Sequence, residues 1–194
     1  MPVRYCHVNP TAKSIVLIGM MGAGKSSVGC CLQRRMKLPV VEIDDIVASK
    51  FGMTISEIFA EHGEDQFREA EAEVLRNLKA TDQAIIVTGG GIVLGEENMD
   101  LLRRLGVVVW LDGDGETLFR RALCTGNRPL LQGENRKNLF EEILRTRRPL
   151  YARIAHLRID TSVLTDEEVA VAILSKVEKR NRPRQSPIPI TAHE

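Results

Sequence analysis

Cysteine, histidine and aromatic residues are scarce in this chain. Its 194 residues include 4 Cys and 4 His, and the aromatic content is 4%. None of the cysteines has the C-x-x-C spacing of a zinc or redox site, and a bond between the adjacent Cys30 and Cys31 would be strained. The histidines lack metal-ligand spacing as well. The sequence therefore predicts free thiols in a reducing compartment and no zinc site.

Long apolar runs and an excess of charge are also absent. No stretch approaches the roughly 18 consecutive apolar residues that span a membrane, and the first 13 residues lack the apolar core of a signal peptide. The formal net charge is +1, which gives no field to attract nucleic acid or an anionic membrane. We expect a cytoplasmic protein without nucleic acid or membrane partners. We also expect a monomer, since no sustained heptad pattern occurs.

Short apolar runs alternate along the chain with longer amphipathic segments. The predicted strands are 14–18, 39–43, 84–88, 106–111 and 157–160. The predicted helices are 25–36, 45–51, 55–78 with a break near Gly63, 96–105, 116–123, 137–155 with a break near Pro149, and 165–178. This alternation predicts an α/β domain in which helices cover both faces of a parallel sheet. Thr54 and Glu57 predict a capping box at one helix start.

Two segments fall outside this pattern. Residues 124–137, CTGNRPLLQGENRK, are polar and rich in Gly, Asn and Pro, and an irregular loop of that length is often an active-site lid. Residues 181–194 contain three prolines and no periodic pattern, which predicts a disordered tail. We therefore expect a single domain over residues 1–180.

The stretch IVLIGMMGAGKSSVG, residues 15–29, contains the pattern G-x-x-x-x-G-K-S between a predicted strand and a predicted helix. Glycines let backbone N–H groups turn toward a phosphate, and the helix N-terminus behind them adds partial positive charge. In this pattern Lys25 reaches the β- and γ-phosphates and Ser26 ligates Mg²⁺. The sequence therefore predicts a site for a nucleoside triphosphate with Mg²⁺.

A phosphate loop alone does not separate kinases from GTPases and motor-type ATPases. The chain lacks the N-K-x-D motif expected of a GTPase. VVVWLD at 107–112 resembles an apolar strand that ends in a Mg²⁺-binding aspartate, so Asp112 keeps the ATPase alternative open. Glu42 and Asp44 follow another strand, at the sheet edge where α/β proteins bind ligands. A helix N-cap is the simpler interpretation of Asp44.

Three further stretches carry candidate substrate-binding residues. Arg68 lies among acidic residues on a predicted helix, and TGGGIV at 88–93 offers bare backbone to a ligand. Arg128 lies in the predicted lid, and RTRRPLYAR at 145–153 clusters four arginines. Taken alone, each has a simpler interpretation as a solvated arginine or a flexible turn.

Taken together, these stretches resemble the shikimate kinase family. The motifs occur in order as GMMGAGKS, EID, GEDQFR, TGGG, NRPLL and RRPLY, and the resemblance covers about residues 13–178. It implies a three-layer α/β/α P-loop kinase fold with a five-stranded parallel sheet and a lid. It also implies transfer of the γ-phosphate of ATP to the 3-hydroxyl of shikimate, in chorismate and aromatic amino acid biosynthesis.

The resemblance assigns roles to individual residues. Those implied to bind ATP are Gly22, Ala23, Gly24, Lys25, Ser26, Ser27, Arg121 and Arg128. Those implied to bind shikimate are Asp44, Arg68, Gly89, Gly90, Gly91 and Arg147. Lys25, Asp44 and Arg128 would be catalytic, and Ser26 would ligate Mg²⁺. Glu42 stands where the family usually has an aspartate that helps to hold Mg²⁺ through water. Because of this difference, either Glu42 or Asp112 is a candidate for that role.

Two other hypotheses stay open on the sequence alone. A related kinase would phosphorylate AMP or gluconate; paired arginines and three glycines disfavour AMP, whereas gluconate is also a carboxylate. Alternatively, an inactive kinase domain would serve as an ATP-binding regulator. The unusual Glu42 favours that alternative, and the intact Lys25, Asp44 and Arg128 disfavour it.

Overall fold

Strands and helices alternate along the part of the chain that the computed structural model describes, residues 14–124 and 135–181. The strands are β1 Ser14–Ile18, β2 Val40–Glu42, β3 Ile85–Val87, β4 Gly106–Asp112 and β5 Leu157–Asp160. The helices are α1 Lys25–Met36, α2 Ile43–Phe51, α3 Ile55–Glu61, α4 Gly63–Asn77, α5 Glu96–Leu105, α6 Gly115–Cys124, α7 Arg136–Ile154 and α8 Asp166–Asn181, with a 3-10 turn at Ile92–Leu94. No helix in these two ranges is both long and apolar enough to cross a bilayer.

The five strands form one parallel sheet in the order β2-β3-β1-β4-β5. The central strand β1 pairs on both sides, so that Ile15 lies opposite Ile85 in β3 and Val107 in β4. Every residue of β1 and β4 is buried. This burial on both faces explains why these strands are continuous apolar runs rather than alternating patterns. The predicted five-stranded parallel sheet is confirmed.

Helices cover both faces of the sheet. The crossover through α1 runs from β1 toward the β2 edge, whereas the crossover through α5 runs from β3 in the opposite direction to β4. Because such crossovers are right-handed, the two helices lie on opposite faces. α8 packs against α1, and α4 packs against α5. The result is the predicted three-layer α/β/α arrangement, with the carboxyl ends of all strands at one edge.

The loop between β1 and α1 has a backbone that glycine adopts most readily. Gly19, Gly22 and Gly24 have φ angles of +145°, +82° and +82°. A Cβ on Gly19 or Gly22 would also overlap a carbonyl oxygen, that of Leu111 or Leu118. α1 begins after Gly24 with no side-chain cap, so the N–H groups of its first turn remain for a ligand.

The helix boundaries confirm some predictions and correct others. The capping box of Thr54 and Glu57 is present, and the predicted break near Gly63 separates α3 from α4. The predicted break near Pro149 is wrong, because α7 continues through it from Arg136 to Ile154. Proline costs a helix interior about 3 kcal/mol, and the buried side chains on both sides of Pro149 offset that cost. Asp44 lies in the first turn of α2, and Glu42 holds the N-cap position.

Of the lid predicted at 124–137, residues 125–134 lie outside the described residues, while Cys124 ends α6 and Arg136 begins α7. Of the tail predicted at 181–194, residues 182–194 lie outside them. Arg128 also lies outside them. The predictions made for these segments therefore remain predictions.

Candidate active site

A cavity of about 780 Å³ opens at the carboxyl edge of the sheet. Its lining comes from the phosphate loop, the β2–α2 junction, the turn after β3, the end of α6 and the start of α8. The predicted site residues that it brings together are Gly22, Gly24, Lys25, Ser26, Ser27, Glu42, Asp44, Gly89, Gly90 and Arg121. Segments far apart in sequence therefore meet around one volume large enough for a nucleotide.

Two of the cations that line this cavity were predicted to bind ATP. The Lys25 ammonium donates to the carbonyl oxygens of Gly19 and Met20 at 2.8 and 3.1 Å, which places it over the phosphate loop. The Arg121 guanidinium donates from Nη1 to the Thr161 carbonyl at 3.0 Å and from Nη2 to the Ser162 carbonyl at 3.4 Å. These two carbonyls fix the plane of the guanidinium against the loop that follows β5.

A hydroxyl and a carboxylate meet at the start of α1. Ser26 Oγ donates to Glu42 Oε2 at 3.3 Å. Burial raises the pKa of Glu42, the Ser26 hydrogen bond opposes this, and the charges of Asp45 and Asp44 reinforce it. In the described parts of the chain no three His, Cys, Asp or Glu side chains cluster as a metal cage. One hydroxyl and one carboxylate suit Mg²⁺, which takes most of its ligands from phosphate and water.

Asp112 lies outside this cavity and forms ion pairs with two arginines. Its Oδ1 accepts from Arg148 Nη2 at 3.3 Å, its Oδ2 accepts from Arg158 Nη2 at 2.6 Å, and the residue is 2% exposed. It lines a separate cavity of about 720 Å³ beside α7. These two ion pairs disfavour Asp112 as a metal ligand, and with it the ATPase alternative that depended on this residue.

Arg68 is an inward-facing side chain of α4, 19% exposed, rather than a solvated surface arginine. Its Nη2 donates to Glu64 Oε1 at 2.7 Å and its Nη1 to Glu71 Oε2 at 2.5 Å. Burial alone would lower the pKa of Arg68, and the carboxylates of Glu71 and Glu64 outweigh this and raise it. A Cβ on Gly91 would overlap the guanidinium. The third glycine of the turn therefore makes room for Arg68.

Arg147 is more deeply buried, at 6% exposure on α7. Burial lowers the pKa of its guanidinium, and Tyr151 opposes that change. A Cβ on Gly90 would lie 3.6 Å from Arg147 Nη1. No carboxylate of residues 14–124 or 135–181 lies within ion-pair distance of Arg147. The site thus holds a buried cation beside bare glycine backbone.

Gly89 separates two carboxylates. A Cβ on this residue would lie 2.6 Å from Asp44 Oδ1 and 2.9 Å from Glu71 Oε1. Glu71 is completely buried, and its Oε1 accepts no hydrogen bond from the described residues. Burial raises the pKa of Glu71 to about 7, with Arg68 acting to lower it and Asp44 to raise it. Any side chain at position 89 would therefore displace the carboxylates of Asp44 and Glu71.

Several residues of the site were not predicted. The further lining residues are Met21, Thr88, Arg120, Cys124, Leu164, Thr165 and Asp166. The rule that selected Asp44, that ligands bind beyond the carboxyl ends of strands, applies equally to the loop after β5 and would have indicated Leu164–Asp166. Glu71 had a signal too, since it follows Arg68 by three residues and so shares its helix face.

Of the predicted residues that the structure describes, four do not line the cavity itself. Ala23 is 1% exposed beneath the phosphate loop. Arg68, Gly91 and Arg147 form the wall behind the glycine turn, next to Gly90. Two arginines thus lie directly behind the glycine turn, whose first two residues line the cavity.

Comparison with known proteins assigns the chain to a family. The family model described as shikimate kinase matches residues 21–178. Shikimate kinases of Symbiobacterium thermophilum and Thermodesulfovibrio yellowstonii are 43% and 42% identical, each over 86% of this chain and over 97% and 96% of their own lengths. The chain belongs to the shikimate kinase family. The resemblance inferred from the six sequence motifs is confirmed, and this family member is accordingly a kinase.

Solved structures agree with this assignment. A shikimate kinase from Acinetobacter baumannii in complex with shikimate has a TM-score of 0.85 and 34% sequence identity, covering 90% of this chain and 97% of that chain. A gluconokinase from Sinorhizobium meliloti has a TM-score of 0.54 and 20% identity, covering 87% and 93%. The likeness to the gluconokinase extends to the fold alone.

Proposed function

We propose that the protein transfers the γ-phosphate of ATP to the 3-hydroxyl of shikimate, giving shikimate 3-phosphate and ADP. The family membership supports the reaction class, and shikimate is the molecule in the complex of the Acinetobacter relative. The chemistry of this chain's own residues supports the substrate, since the acceptor region suits a small polyhydroxylated carboxylate.

Arg147 carries the proposal. A buried guanidinium without a carboxylate partner in the described structure is costly, because burial removes its hydration. A substrate carboxylate would supply the missing charge and accept from two N–H groups of the planar guanidinium. Arg68 lies beyond Gly91 and would contact the same carboxylate from the other side. AMP carries no carboxylate for this pair to bind.

Asp44 would bind the hydroxyl end of the acceptor. Its carboxylate lies at the cavity surface beside Gly89 and in the first turn of α2. A carboxylate there accepts a hydrogen bond from the attacking hydroxyl, aligns its oxygen, and takes its proton as the O–P bond forms. The released ADP oxygen carries the corresponding negative charge.

The phosphate loop would hold the nucleotide. Backbone N–H groups at the start of α1 would bind the phosphates, Lys25 would move from the loop carbonyls to the transferring phosphate, and Arg121 would lie against adenine; Lys25 and Arg121 both line the cavity. Arg128, outside the described residues, would approach the transferred phosphate when the lid closes and excludes water. The intact Lys25 and Asp44 argue against the alternative of an inactive regulator.

Ser26 and Glu42 would hold Mg²⁺ with ATP, Ser26 directly and Glu42 through water. Their contact at 3.3 Å supports this pairing. It indicates that the longer Glu42 side chain still places its carboxylate beside Ser26, although the family usually has aspartate at this position. When bound, Mg²⁺ neutralises charge on the β- and γ-phosphates.

Three expectations about the setting of the reaction belong to the same proposal. We propose that the protein works as a monomer in the cytoplasm with small-molecule partners. A net charge of +1 supports the absence of a nucleic acid partner.

The proposal is tested by ADP release from Mg-ATP in a coupled assay with shikimate, gluconate, AMP or no acceptor. We expect turnover with shikimate only. Turnover with gluconate instead would contradict the substrate assignment, and ATP binding without any turnover would favour the regulator.

A further inference from the structure

Tyr151 is a buried polar residue to which the proposed reaction assigns no role. It lies one helical turn after Arg147 on α7 and is 0% exposed. Its hydroxyl donates to the Gly90 carbonyl oxygen at 2.5 Å. Burial raises the pKa of Tyr151 and the nearby Arg147 guanidinium opposes this, so the hydroxyl remains a donor at every working pH. The hydroxyl thus holds the glycine turn at the point where that turn lies beside the buried cation.

We propose that Tyr151 is a positioning residue that fixes the Arg147 guanidinium relative to the Gly90 backbone and so orients the carboxylate and ring of the acceptor. The inference rests on the proposed placement of shikimate between these two groups. Tyr151 acts through Arg147 and Gly90 and does not itself contact the substrate.

The surroundings of Gly90 explain why its position matters. A Cβ on Gly90 would lie 3.5 Å from Met21 N and 3.6 Å from the Gly19 carbonyl oxygen. The glycine turn therefore lies directly against the phosphate loop. A shift in this turn would change the distance between the acceptor and the transferring phosphate, and displacements of about 1 Å strongly affect reactions that depend on alignment.

The sheet holds the phenol ring in place. Trp110 in β4 contacts the Tyr151 ring with 6.0 Å between ring centroids and a 31° angle between planes. Since Trp110 is itself only 6% exposed in the interior strand β4, the Tyr151 ring has little freedom to move. Side chains held by packing and by a hydrogen-bonded neighbour give a site its geometric accuracy.

Tyr151→Phe is the direct test, because it keeps the ring and removes only the hydroxyl. We expect the KM for shikimate to rise about tenfold, since a buried carbonyl loses its donor, while the KM for ATP stays within about twofold. Replacement by 4-aminophenylalanine, which restores an N–H donor, should return the shikimate KM toward that of the wild type. Ile154→Val, a buried change on the same helix, is the control and should lower Tm without changing either KM.

A double-mutant cycle identifies the route of the effect. If Tyr151 acts through Arg147, then Tyr151→Phe combined with Arg147→Lys should raise the shikimate KM by less than the product of the two single changes. Should Tyr151→Phe fail to fold, Trp110→Phe takes its place, with an expected rise of about threefold in the shikimate KM alone.

The outcomes separate this inference from the proposed function. An active wild type with an unchanged shikimate KM in Tyr151→Phe, or in Trp110→Phe where that variant is used, would overturn the positioning role and leave the reaction intact. An equal rise in both KM values would overturn it too, because that result indicates general disturbance of the core. A wild type inactive with shikimate would overturn the proposed function and this inference with it.

Discussion

The proposed nucleotide half of the site, residues 19–27, and the proposed acceptor half around the glycine turn are built in different ways. The nucleotide half is largely one continuous loop, in which glycines with positive φ lead into the start of α1, which has no side-chain cap. The acceptor half is assembled from α2, α4, the glycine turn and α7. Its charges are the buried Glu71 and Arg147 and the partly buried Arg68. One half therefore relies on local backbone geometry and the other on long-range packing.

This difference teaches where each half is vulnerable. A backbone cradle is fixed once its loop folds, and its partial charges need no counter-charge. Buried ions must be compensated, so the removal of one member leaves another in an apolar setting. We therefore expect changes in the nucleotide half to affect catalysis without disturbing acceptor binding. Changes in the acceptor half should affect acceptor binding, pH dependence and stability together.

Lys25→Met should have the largest effect and tests the independence of the halves. We expect kcat to fall about 10³-fold or more, because the ammonium neutralises charge on the transferring phosphate. The affinity for shikimate without nucleotide, followed by the fluorescence of the single tryptophan, should stay within about twofold. Lys50→Met, at a surface ion pair with Glu73, is the control. A parallel loss of shikimate affinity would mean that the halves are coupled through the loop.

Asp44→Asn should reduce kcat by about 10²-fold or more, because an amide cannot take the proton of the attacking hydroxyl. The shape of the side chain is kept, so the shikimate KM should change little. Asp45→Asn, which alters the next residue on the exposed side of α2, should leave kcat unchanged. If kcat is kept in Asp44→Asn and KM rises, Asp44 only positions the substrate.

Arg68→Ala should raise the shikimate KM by about 30-fold, in keeping with the loss of a charged hydrogen bond. ATP affinity without shikimate should remain nearly intact. Arg68→Lys should recover only part of the loss, since an ammonium lacks the planar pair of donors. Arg76→Ala, on the exposed face of the same helix and paired with Glu69 and Glu97, is the matched control. A large loss of ATP affinity in Arg68→Ala would contradict a carboxylate-binding role.

The two halves also differed in how well the sequence predicted them. Most cavity-lining residues of the phosphate loop were selected from the sequence, because they are contiguous and their spacing reflects backbone geometry; Met21 was missed. Asp44, Arg68 and Arg147 were selected through motifs typical of a family, and their residue types alone left solvated or capping alternatives open. Only the fold brings Asp44 to the cavity and the two arginines to the glycine turn beside it.

Some features could not be predicted because they depend on packing. Pro149 indicated a helix break, yet buried neighbours on both sides keep α7 continuous. Asp112 resembled a metal ligand at the end of an apolar strand, and two arginines distant in sequence occupy its carboxylate. Tyr151 was part of a quoted motif, but its contact with Gly90 spans 61 positions of the chain. No local pattern contains that information.

The smallest predicted effect is the pH dependence of stability that Glu71 causes, and it tests the buried charges most directly. Its pKa is about 7 in the folded protein against an ordinary value of 4.5. At a pH between 4.5 and about 7, Glu71 is ionised in the unfolded chain but still protonated in the folded protein. Raising the pH therefore lowers the free energy of unfolding, by about 1 kcal/mol per pH unit near pH 6. Urea denaturation between pH 5.5 and 6.5 should show this slope in the wild type.

Comparison with Glu71→Gln isolates the contribution of this carboxyl from other titrating groups. The variant cannot ionise at position 71, so its stability should fall less with rising pH than that of the wild type. Glu69→Gln, on the exposed face of α4, should keep the wild-type slope. Parallel slopes in the wild type and Glu71→Gln would mean that Arg68 keeps Glu71 ionised at pH 5.5. The acceptor half would then hold a fixed ion pair beneath the substrate, and only Arg147 would bring uncompensated charge to the carboxylate.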